Sequence, residues 1–304
     1  MDDPRLQQLK IIFAEHGWMW RAGKDIPYGT QLILSDGSNE ATLDFYPKRG
    51  RTVVGGANTP LRQALARITA EAETNPPAQA KATPMIQGAH IGMDESGKGD
   101  WFGPLVVAAV FIEPAQAEVL QQAGVRDSKQ LAATTLIRLA SVIAQQVPAA
   151  HRRVLVLEPD VYNRRYAELG NINLLLAELY AEAALPVQQA TRSNRIVCDQ
   201  FAQRTDRLDL AFGRAGLPKP IQQHHAEDAS VAVAAASILA TARFGSELER
   251  LGAEAGIARS LPRGASALVE LRMAVQTIIA REGRAAVGRY AKLNFKPIQV
   301  ILAD

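Results

Sequence analysis

The sequence is poor in cysteine, since Cys198 is the single cysteine among 304 residues. One thiol cannot form an intrachain disulfide or a zinc site built from several cysteines, and it suits a protein of the reducing cytoplasm. The sequence also lacks an apolar run of the ~18 to 20 residues needed to span a bilayer. Its first residues, MDDPRLQQLK, open with acids rather than with the basic and apolar order of a secretory signal. We therefore expect a soluble, cytoplasmic protein with no membrane partner.

The excess of charge of either sign is also small. Lysine and arginine total 34 and aspartate and glutamate total 31, so the formal net charge is +3. An excess of this size says little about a polyanionic partner unless the charges cluster. The composition is otherwise that of a folded protein, with 47% hydrophobic and 21% charged residues. The length exceeds that of a typical single domain, so we expect two domains.

A linker is predicted at residues 75–84, NPPAQAKATP, where prolines stand among small and polar residues. The residues before it, 1–74, combine helical spacing with hairpin signals. The helical stretches are residues 6–16 and 59–73, and the hairpin signals are residues 35–38 and 48–50. We predict a small α+β domain of residues 1–74 and a second domain of residues 85–304.

The second domain contains early strand-like runs and longer helical stretches. The apolar, strand-like runs are residues 91–93, 105–112, 154–157 and 195–198. The helical stretches are residues 132–145, 161–184, 229–251 and 268–282. This arrangement predicts an α/β domain with a mixed sheet covered by helices.

The segment IGMDESGKGDWFGPLVVAAVFI, residues 91–112, joins two acids to a glycine-rich turn. Asp94 and Glu95 repel each other, and a divalent cation held by their oxygens would relieve that repulsion. An isolated pair of this kind is more often a solvated turn, with Lys98 as counter-ion. Gly97 and Gly99, however, let the backbone approach a ligand, while the lysine between them presents a charge for phosphate. A dinucleotide-binding loop is a poor alternative, because a strand follows rather than a helix.

Two later segments carry further acids at predicted element ends. Asp199 ends the run of residues 195–198, where its alternative role is to cap the following turn. Glu227 and Asp228 precede an alanine-rich helix, whose dipole alone would stabilise either carboxylate. The preceding histidines, His224 and His225, lack a nearby third ligand for zinc.

A hydroxyl and an ammonium group also precede a predicted helix, in Asp127-Ser128-Lys129-Gln130-Leu131. Taken alone, Asp127 or Ser128 is a helix cap.

In combination these motifs resemble type 2 ribonuclease H, and most closely its ribonuclease HIII branch. GMDESGKGDWFGPLVVAA is similar to the family's opening active-site motif, with lysine between the glycines as in the HIII branch, where the HII branch usually has arginine. DSKQL, the acid after IVCD, and AEDASVAVAAASILA follow in the family's order, and LPRGAS and YAKLNF are similar to HIII carboxyl-terminal segments. The resemblance covers nearly all of residues 85–296.

The resemblance implies an RNase H-like mixed sheet with flanking helices, preceded by a small domain resembling the TATA-box-binding protein fold. It also implies Mg²⁺ or Mn²⁺ as cofactor, held by an acidic quartet that maps onto Asp94, Glu95, Asp199 and Glu227. Counting back from the small residues 234–237 places the last acid on Glu227, which leaves Asp228 as a helix-start residue.

The implied activity is hydrolysis of the RNA strand of RNA/DNA hybrids by two metal ions, giving 5′-phosphate and 3′-hydroxyl ends. By the same resemblance, the loop beginning at Ser96 senses the 2′-hydroxyl through the backbone of Gly97, Lys98 and Gly99. Lys98 and Lys129 would then meet neighbouring phosphates, and Ser128, in the same DSK segment, is a further substrate-binding residue. For the first domain we expect added affinity for the hybrid from four basic residues, Lys24, Lys48, Arg49 and Arg51.

Two alternatives stay open from the sequence. One is an HII-type enzyme that cuts at single embedded ribonucleotides, although no equivalent is found for the tyrosine which that branch uses. The other is a non-catalytic hybrid-binding protein, which four intact acids argue against. The tail NFKPIQVILAD departs from the family pattern. We expect a monomer.

Overall fold

The structure is a computed structural model. It describes eight stretches of the chain, residues 4–47, 51–74, 85–126, 131–199, 206–223, 226–258, 260–264 and 268–303. The chain divides into two compact units, Met1–Thr83 and Pro84–Asp304. The predicted linker, residues 75–84, lies outside the described residues.

The first unit is an antiparallel sheet with helices at either end of the sequence. Its elements are α1 (Pro4–Glu15), β1 (Met19–Ala22), β2 (Thr30–Ser35), β3 (Glu40–Tyr46), β4 (Arg51–Gly55) and α2 (Pro60–Thr74). The strands lie in the order β1-β2-β3-β4, and alternate residues such as Leu32, Leu34 and Leu43 are buried beneath Phe13 of α1. Alternation of this kind gives a sheet one buried face. The predicted small α+β domain is confirmed.

The second unit is built around a five-stranded sheet. Its elements are β5 (His90–Ser96), β6 (Leu105–Ile112), α3 (Pro114–Gln122), α4 (Ala133–Gln146), β7 (Arg152–Leu157), α5 (Pro159–Leu169), α6 (Ile172–Thr191), β8 (Ile196–Asp199), α7 (Asp206–Arg214), β9 (Ile221–Gln223), α8 (Ala226–Ala229), α9 (Val231–Glu254), α10 (Leu268–Glu282) and α11 (Lys296–Ala303), with short 3₁₀ turns at Ala149–His151 and Arg284–Arg289. The strand order is β7-β6-β5-β8-β9. β5, β6 and β7 pair antiparallel, whereas β8 is parallel to β5 and β9 is parallel to β8. The predicted mixed sheet is confirmed.

Helices cover both faces of this sheet. Along β5, Ile91 and Met93 face the cluster formed with α6, and the residue between them faces α9. That residue is Gly92, where an added Cβ would lie 2.1 Å from the carbonyl carbon of Ala232. Only a glycine allows the backbones of strand and helix to approach this closely. The helix α9 is therefore seated directly on the central strand.

By length and mean hydropathy, α9 could span a membrane: the mean hydropathy is 1.3 over a window of 18 of its residues. However, 78% of that window is buried inside the unit. Polar residues such as Ser237, Thr241 and Arg243 interrupt the apolar residues of this helix, so the sequence contains no continuous apolar run there. The burial is that of a helix in the core of a folded domain.

One predicted helix is wrong in extent. Residues 161–184 were expected to form one helix, but α5 ends at Gly170, which has a φ of +61°. Asn171 then begins α6 by accepting a hydrogen bond of 2.9 Å from the backbone N–H of Asn173. A left-handed glycine followed by an Asn cap is a recognisable stop and start signal.

Candidate active site

The carboxyl-terminal ends of β5 and β8 bring two acids side by side. In this parallel pair Met93 lies beside Cys198, and the next residues along the two strands are Asp94 and Asp199. Side chains alternate across a sheet, so both acids project from the face that carries Gly92 and therefore α9. Asp199 Oδ1 accepts a hydrogen bond of 3.4 Å from the backbone N–H of Ala226 at the start of α8.

Glu95 projects from the opposite face, although it is adjacent to Asp94 in the chain. The hydroxyl of Tyr180 in α6 donates a hydrogen bond to Glu95 Oε2, and Lys98 Nζ lies 3.9 Å from Glu95 Oε1. Asp94 instead is hydrogen-bonded to Ser237 of α9 and accepts the backbone N–H of Glu95 at 2.8 Å. The two neighbouring carboxylates are thus oriented by different helices.

The electrostatics of this site disfavour negative charge on Asp94. Burial raises the pKa of its carboxyl to about 8, and the charges of Glu95 and Glu227 add to the effect. Burial and the charges of Glu95 and Asp94 also raise the pKa of Tyr180 well above its usual value. The hydroxyl of Tyr180 therefore stays protonated and available as a donor. A bound cation would reverse the shift on Asp94.

Glu227 and its neighbour Asp228 differ in exposure. Glu227 lies in α8 and is only 7% exposed, whereas Asp228 is exposed. Since Glu227 raises the pKa of Asp94, its charge acts on the cavity side of the sheet.

A cavity of about 350 Å³ opens at this end of the sheet. Its lining consists of Asp94, Glu95, Ser96, Gly97, Lys98, Gly99, Asp100, Leu131, Leu136, Asp199, Ser237, Thr241 and Arg263. Ser237 and Thr241 lie four residues apart in α9 and so face the cavity from successive turns. Carboxylates, hydroxyls, two cations and glycine backbone thus share one space.

The glycine turn, which carries Gly97 and Gly99 between β5 and β6, is held in place by contacts with other segments of the unit. Gly97 has a φ of +89°, and a Cβ there would lie 2.4 Å from the carbonyl oxygen of Pro104, so no other residue fits. Further along, Lys292 is fully buried, and its Nζ donates to the carbonyl oxygens of Asp100 at 3.1 Å and Gly103 at 2.7 Å. The backbone N–H of Gly264 donates to Asp100 Oδ1 at 2.7 Å. The turn is therefore fixed to two carboxyl-terminal segments.

Comparison with known proteins places this arrangement in a family. The family model for ribonuclease HII matches residues 91–296. Ribonuclease HIII of Protochlamydia amoebophila is 37% identical over 213 residues, covering 70% of this chain and 68% of the relative. The chain belongs to the ribonuclease HIII branch of the type 2 ribonuclease H family.

Other ribonuclease HIII proteins match over nearly the whole length. That of Limosilactobacillus fermentum is 33% identical over 313 residues, covering 98% of this chain and 95% of the relative. The crystal structure of Bst-RNase HIII in complex with Mn²⁺ aligns with a TM-score of 0.65 and 26% identity, covering 100% of this chain and 97% of that one. The resemblance stated from the sequence motifs is confirmed. The likeness of the first unit to the TATA-box-binding protein fold is tested by none of these matches and stays a prediction.

Seven of the site residues predicted from the ribonuclease HIII resemblance line the cavity at the end of the sheet. They are Asp94, Glu95, Ser96, Gly97, Lys98, Gly99 and Asp199. Glu227 does not line it, but acts on Asp94 through its charge. Ser128 and Lys129 lie outside the described residues, as do Lys48, Arg49 and both adjacent histidines. The roles assigned to these residues stay predictions.

No compact metal-ligand group forms within the described stretches. No three or more histidine, cysteine, aspartate or glutamate side chains among them lie close enough together to hold one metal ion. The reason is visible in β5, where Glu95 faces α6 while Asp94 faces α9. Asp94, Glu95 and Asp199 thus line the cavity from different directions, and Glu227 lies outside its lining.

Several residues of the site were not singled out from the sequence. Ser237 and Thr241 are the polar residues at helical spacing within an alanine-rich run, which is a usable signal. Arg263 stands in LPRGAS, a segment noted only for its resemblance. Tyr180 gives no local signal, because an aromatic residue in an apolar helix usually belongs to the core.

Proposed function

We propose that this chain is a metal-dependent endonuclease that hydrolyses the RNA strand of RNA/DNA hybrids. The observation that carries the proposal is the pair Asp94 and Asp199 on adjacent parallel strands, lining one cavity, with the pKa of Asp94 raised to about 8. A site that disfavours its own carboxylate charge is suited to a cation. Membership of the ribonuclease HIII branch, and the Mn²⁺ complex of Bst-RNase HIII, support the same reading.

The residues present fit Mg²⁺ or Mn²⁺. The donors are carboxylate and hydroxyl oxygens, which are the ligands that these ions prefer. Mg²⁺ is usually bound by one or two carboxylates, with waters and substrate phosphates completing its shell. The absence of a three-acid group among the described residues therefore does not exclude it. We assign all four acids as metal ligands. Asp94 and Asp199 lie on the face of the sheet that packs on α9, Glu95 lies on the face that packs on α6, and Glu227 lies outside the cavity lining.

A pair of such ions held by these acids would supply an activated water and charge neutralisation at the leaving oxygen. The chain's own residues hold the reacting phosphate in place and exclude the wrong sugar. Ser237 orients Asp94, and Tyr180 orients Glu95, so neither carboxylate turns freely. The proposed products are a 5′-phosphate and a 3′-hydroxyl.

Selectivity for the RNA strand is proposed to come from the glycine turn. The 2′-hydroxyl distinguishes RNA from DNA locally, and a backbone that approaches closely can hydrogen-bond to it. Gly97 lets the turn pack against Pro104 and Phe244, whereas a Cβ added at Gly99 would meet no described atom within 4 Å, so the backbone at Gly99 is open to a ligand. Lys98 and Lys129 are proposed to meet neighbouring phosphates, and Lys24, Lys48, Arg49 and Arg51 of the first unit to add affinity.

The test is cleavage of a labelled RNA/DNA hybrid, with single-stranded RNA and duplex RNA as comparison substrates. We expect the hybrid alone to be cut, and only with Mg²⁺ or Mn²⁺ present. Asp94→Asn should abolish turnover while binding of the hybrid survives. Cleavage that persists in a chelator would refute the metal assignment.

Two further substrates and conditions separate the alternatives. Efficient cutting at one ribonucleotide embedded in duplex DNA would indicate an HII-type enzyme instead. Tight binding of the hybrid without hydrolysis in any divalent cation would indicate a non-catalytic binder. We propose that the enzyme acts in the cytoplasm as a monomer, which sedimentation of the purified protein would test.

A further inference from the structure

Arg263 is a cation on the wall of the acidic cavity that the proposed mechanism leaves unused. It is exposed, and its guanidinium carbon lies 5.2 Å from the centre of the buried Phe244 ring. Within the described part of the chain, no carboxylate forms an ion pair with it. The other cation that lines the cavity, Lys98, is already 3.9 Å from Glu95 Oε1. Arg263 is thus the better placed of the two to meet an incoming anion.

The position of Arg263 is coupled to the glycine turn by two contacts. Its neighbour Gly264 donates a backbone hydrogen bond of 2.7 Å to Asp100 Oδ1. The Phe244 ring that carries the guanidinium also supports the turn, since a Cβ added to Gly97 would lie 2.8 Å from Phe244 Cε2. One ring and one carboxylate therefore set the distance between Arg263 and the turn.

We propose that Arg263 binds a backbone phosphate of the hybrid, next to the nucleotide whose ribose lies on the turn at Gly97 to Gly99. This inference rests on the proposed function. A guanidinium presents two parallel N–H donors that match two phosphate oxygens, and stacking on an aromatic ring holds the fork in one orientation. Phosphate contacts fix the register of a nucleic acid on a protein without reading its sequence. Arg263 is therefore a substrate-binding residue that sets which phosphodiester reaches the acids.

The test compares Arg263→Ala and Arg263→Lys with the unaltered chain. Binding of a labelled hybrid is measured in a chelator, over a series of salt concentrations, so that no cleavage occurs. We expect Arg263→Ala to raise Kd about tenfold at low salt and to lower the salt slope by about 1, because one phosphate contact is lost. Arg263→Lys should restore the slope, but only part of the affinity. In Mg²⁺, KM should rise with kcat nearly unchanged.

Two controls separate contact from structure. Arg164, an exposed arginine of α5 paired with Asp160 at 3.1 Å, does not line the cavity, so Arg164→Ala should match the unaltered chain. Asp100→Ala removes the acceptor of the Gly264 N–H, whereas Asp100→Asn keeps an oxygen there. We expect the former to weaken binding in the same direction as Arg263→Ala, and not additively with it, and the latter to weaken it less, because the acceptor oxygen is kept.

The outcomes are distinguishable. An unchanged Kd and salt slope in a folded Arg263→Ala variant overturns the phosphate contact, as does a lower kcat with unchanged Kd. An unaltered chain that neither binds nor cuts the hybrid overturns the proposed function instead. Thermal unfolding of each variant shows whether its fold is intact, and Arg263→Lys provides the comparison if alanine destabilises the loop.

Discussion

Lys292 Nζ donates a hydrogen bond of 2.7 Å to the carbonyl oxygen of Gly103, across 189 residues of sequence. The same nitrogen also donates to the carbonyl oxygen of Asp100, so a fully buried amino group fixes the turn that carries Gly97 to Gly99. Burial lowers the pKa of Lys292 to about 7. A lysine without a described ion-pair partner is thus kept in the core to satisfy backbone carbonyls.

Lys292→Met should destabilise the protein and slow the enzyme. The variant keeps the length of the side chain but leaves the carbonyls of Asp100 and Gly103 unpaired, at a cost of about 2 kcal/mol in the free energy of unfolding at pH 9. Urea unfolding measures this difference, and hybrid cleavage reports loosening of the turn. Lys296→Met, at an exposed lysine nearby in sequence, is the matched control and should change neither.

The stability difference between the unaltered chain and Lys292→Met should depend on pH. The pKa of Lys292 is about 7 in the folded state against an ordinary 10.5, so the unfolded chain binds more protons between these values. Stability due to Lys292 therefore rises with pH across this window, by at most about 1.4 kcal/mol per pH unit, and is lost as pH falls to 7. An equal difference at pH 7 and pH 9 would contradict the assignment.

In the metal-free protein, the raised pKa of Asp94 predicts a contribution to stability that falls with rising pH, opposite to that of Lys292. Its pKa is raised to about 8 from an ordinary 3.8, so the folded state binds the extra proton. Stability due to Asp94 is present below pH 4 and is lost as pH rises through 8. We expect Asp94→Asn to be the more stable protein at pH 8.5 in a chelator. Mg²⁺ should then raise the Tm of the unaltered chain more than that of the variant.

Tyr180→Phe should raise the Mg²⁺ concentration that the enzyme needs for half of its maximal activity. The variant removes the donor to Glu95 Oε2 while keeping the ring in the core. Removing a partner that orients a metal ligand typically costs about 10-fold or more in metal affinity or activity. Titration of activity with Mg²⁺ measures the shift. Tyr166→Phe, at a tyrosine of α5 that stacks on Tyr162, should leave the titration unchanged.

Glycine at position 92 should be required by packing. Gly92→Ala would place a Cβ 2.1 Å from the backbone of Ala232, so α9 must move away from β5, at a cost of about 3 kcal/mol or more. Gly245→Ala, in the same helix, has open space around it and should stabilise the protein by about 0.5 to 1 kcal/mol. Denaturant unfolding of both variants is the measurement, and equal effects would show that α9 is not seated as described.

Variants of Glu227 and Asp228 test which of these two adjacent acids belongs to the active site. Glu227 is buried and its charge acts on Asp94, whereas Asp228 is exposed. We expect Glu227→Gln to lower kcat by about 100-fold or more, since loss of a ligand should cost at least as much as loss of a group that only orients one, and Asp228→Asn to have little effect. The reverse order would place the catalytic acid on Asp228.

Much of the fold follows from local pattern. The apolar, β-branched run at residues 105–112 is β6 without any change of bounds, and the helical spacing at 268–282 is α10. Helices α3, α7, α8 and α11 were not predicted, so Glu227 and Asp228 lie in a short helix of their own rather than before one. Strand β9 was not predicted either, since a three-residue edge strand leaves little pattern to detect. The break between α5 and α6 also has a local signal, the glycine Gly170 followed by the helix cap Asn171.

The sequence by itself determined which acids, glycines and cations the protein carries and which of them stand at the ends of elements. That follows because strand and helix periodicity, turn residues and family motifs are all short-range. Only the tertiary structure decided that Asp94 lies level with Asp199 and that Glu95 faces another helix. It alone also showed that Lys292 supports the turn from below. These relationships depend on strand register and on packing between segments distant in the chain, which no local pattern encodes.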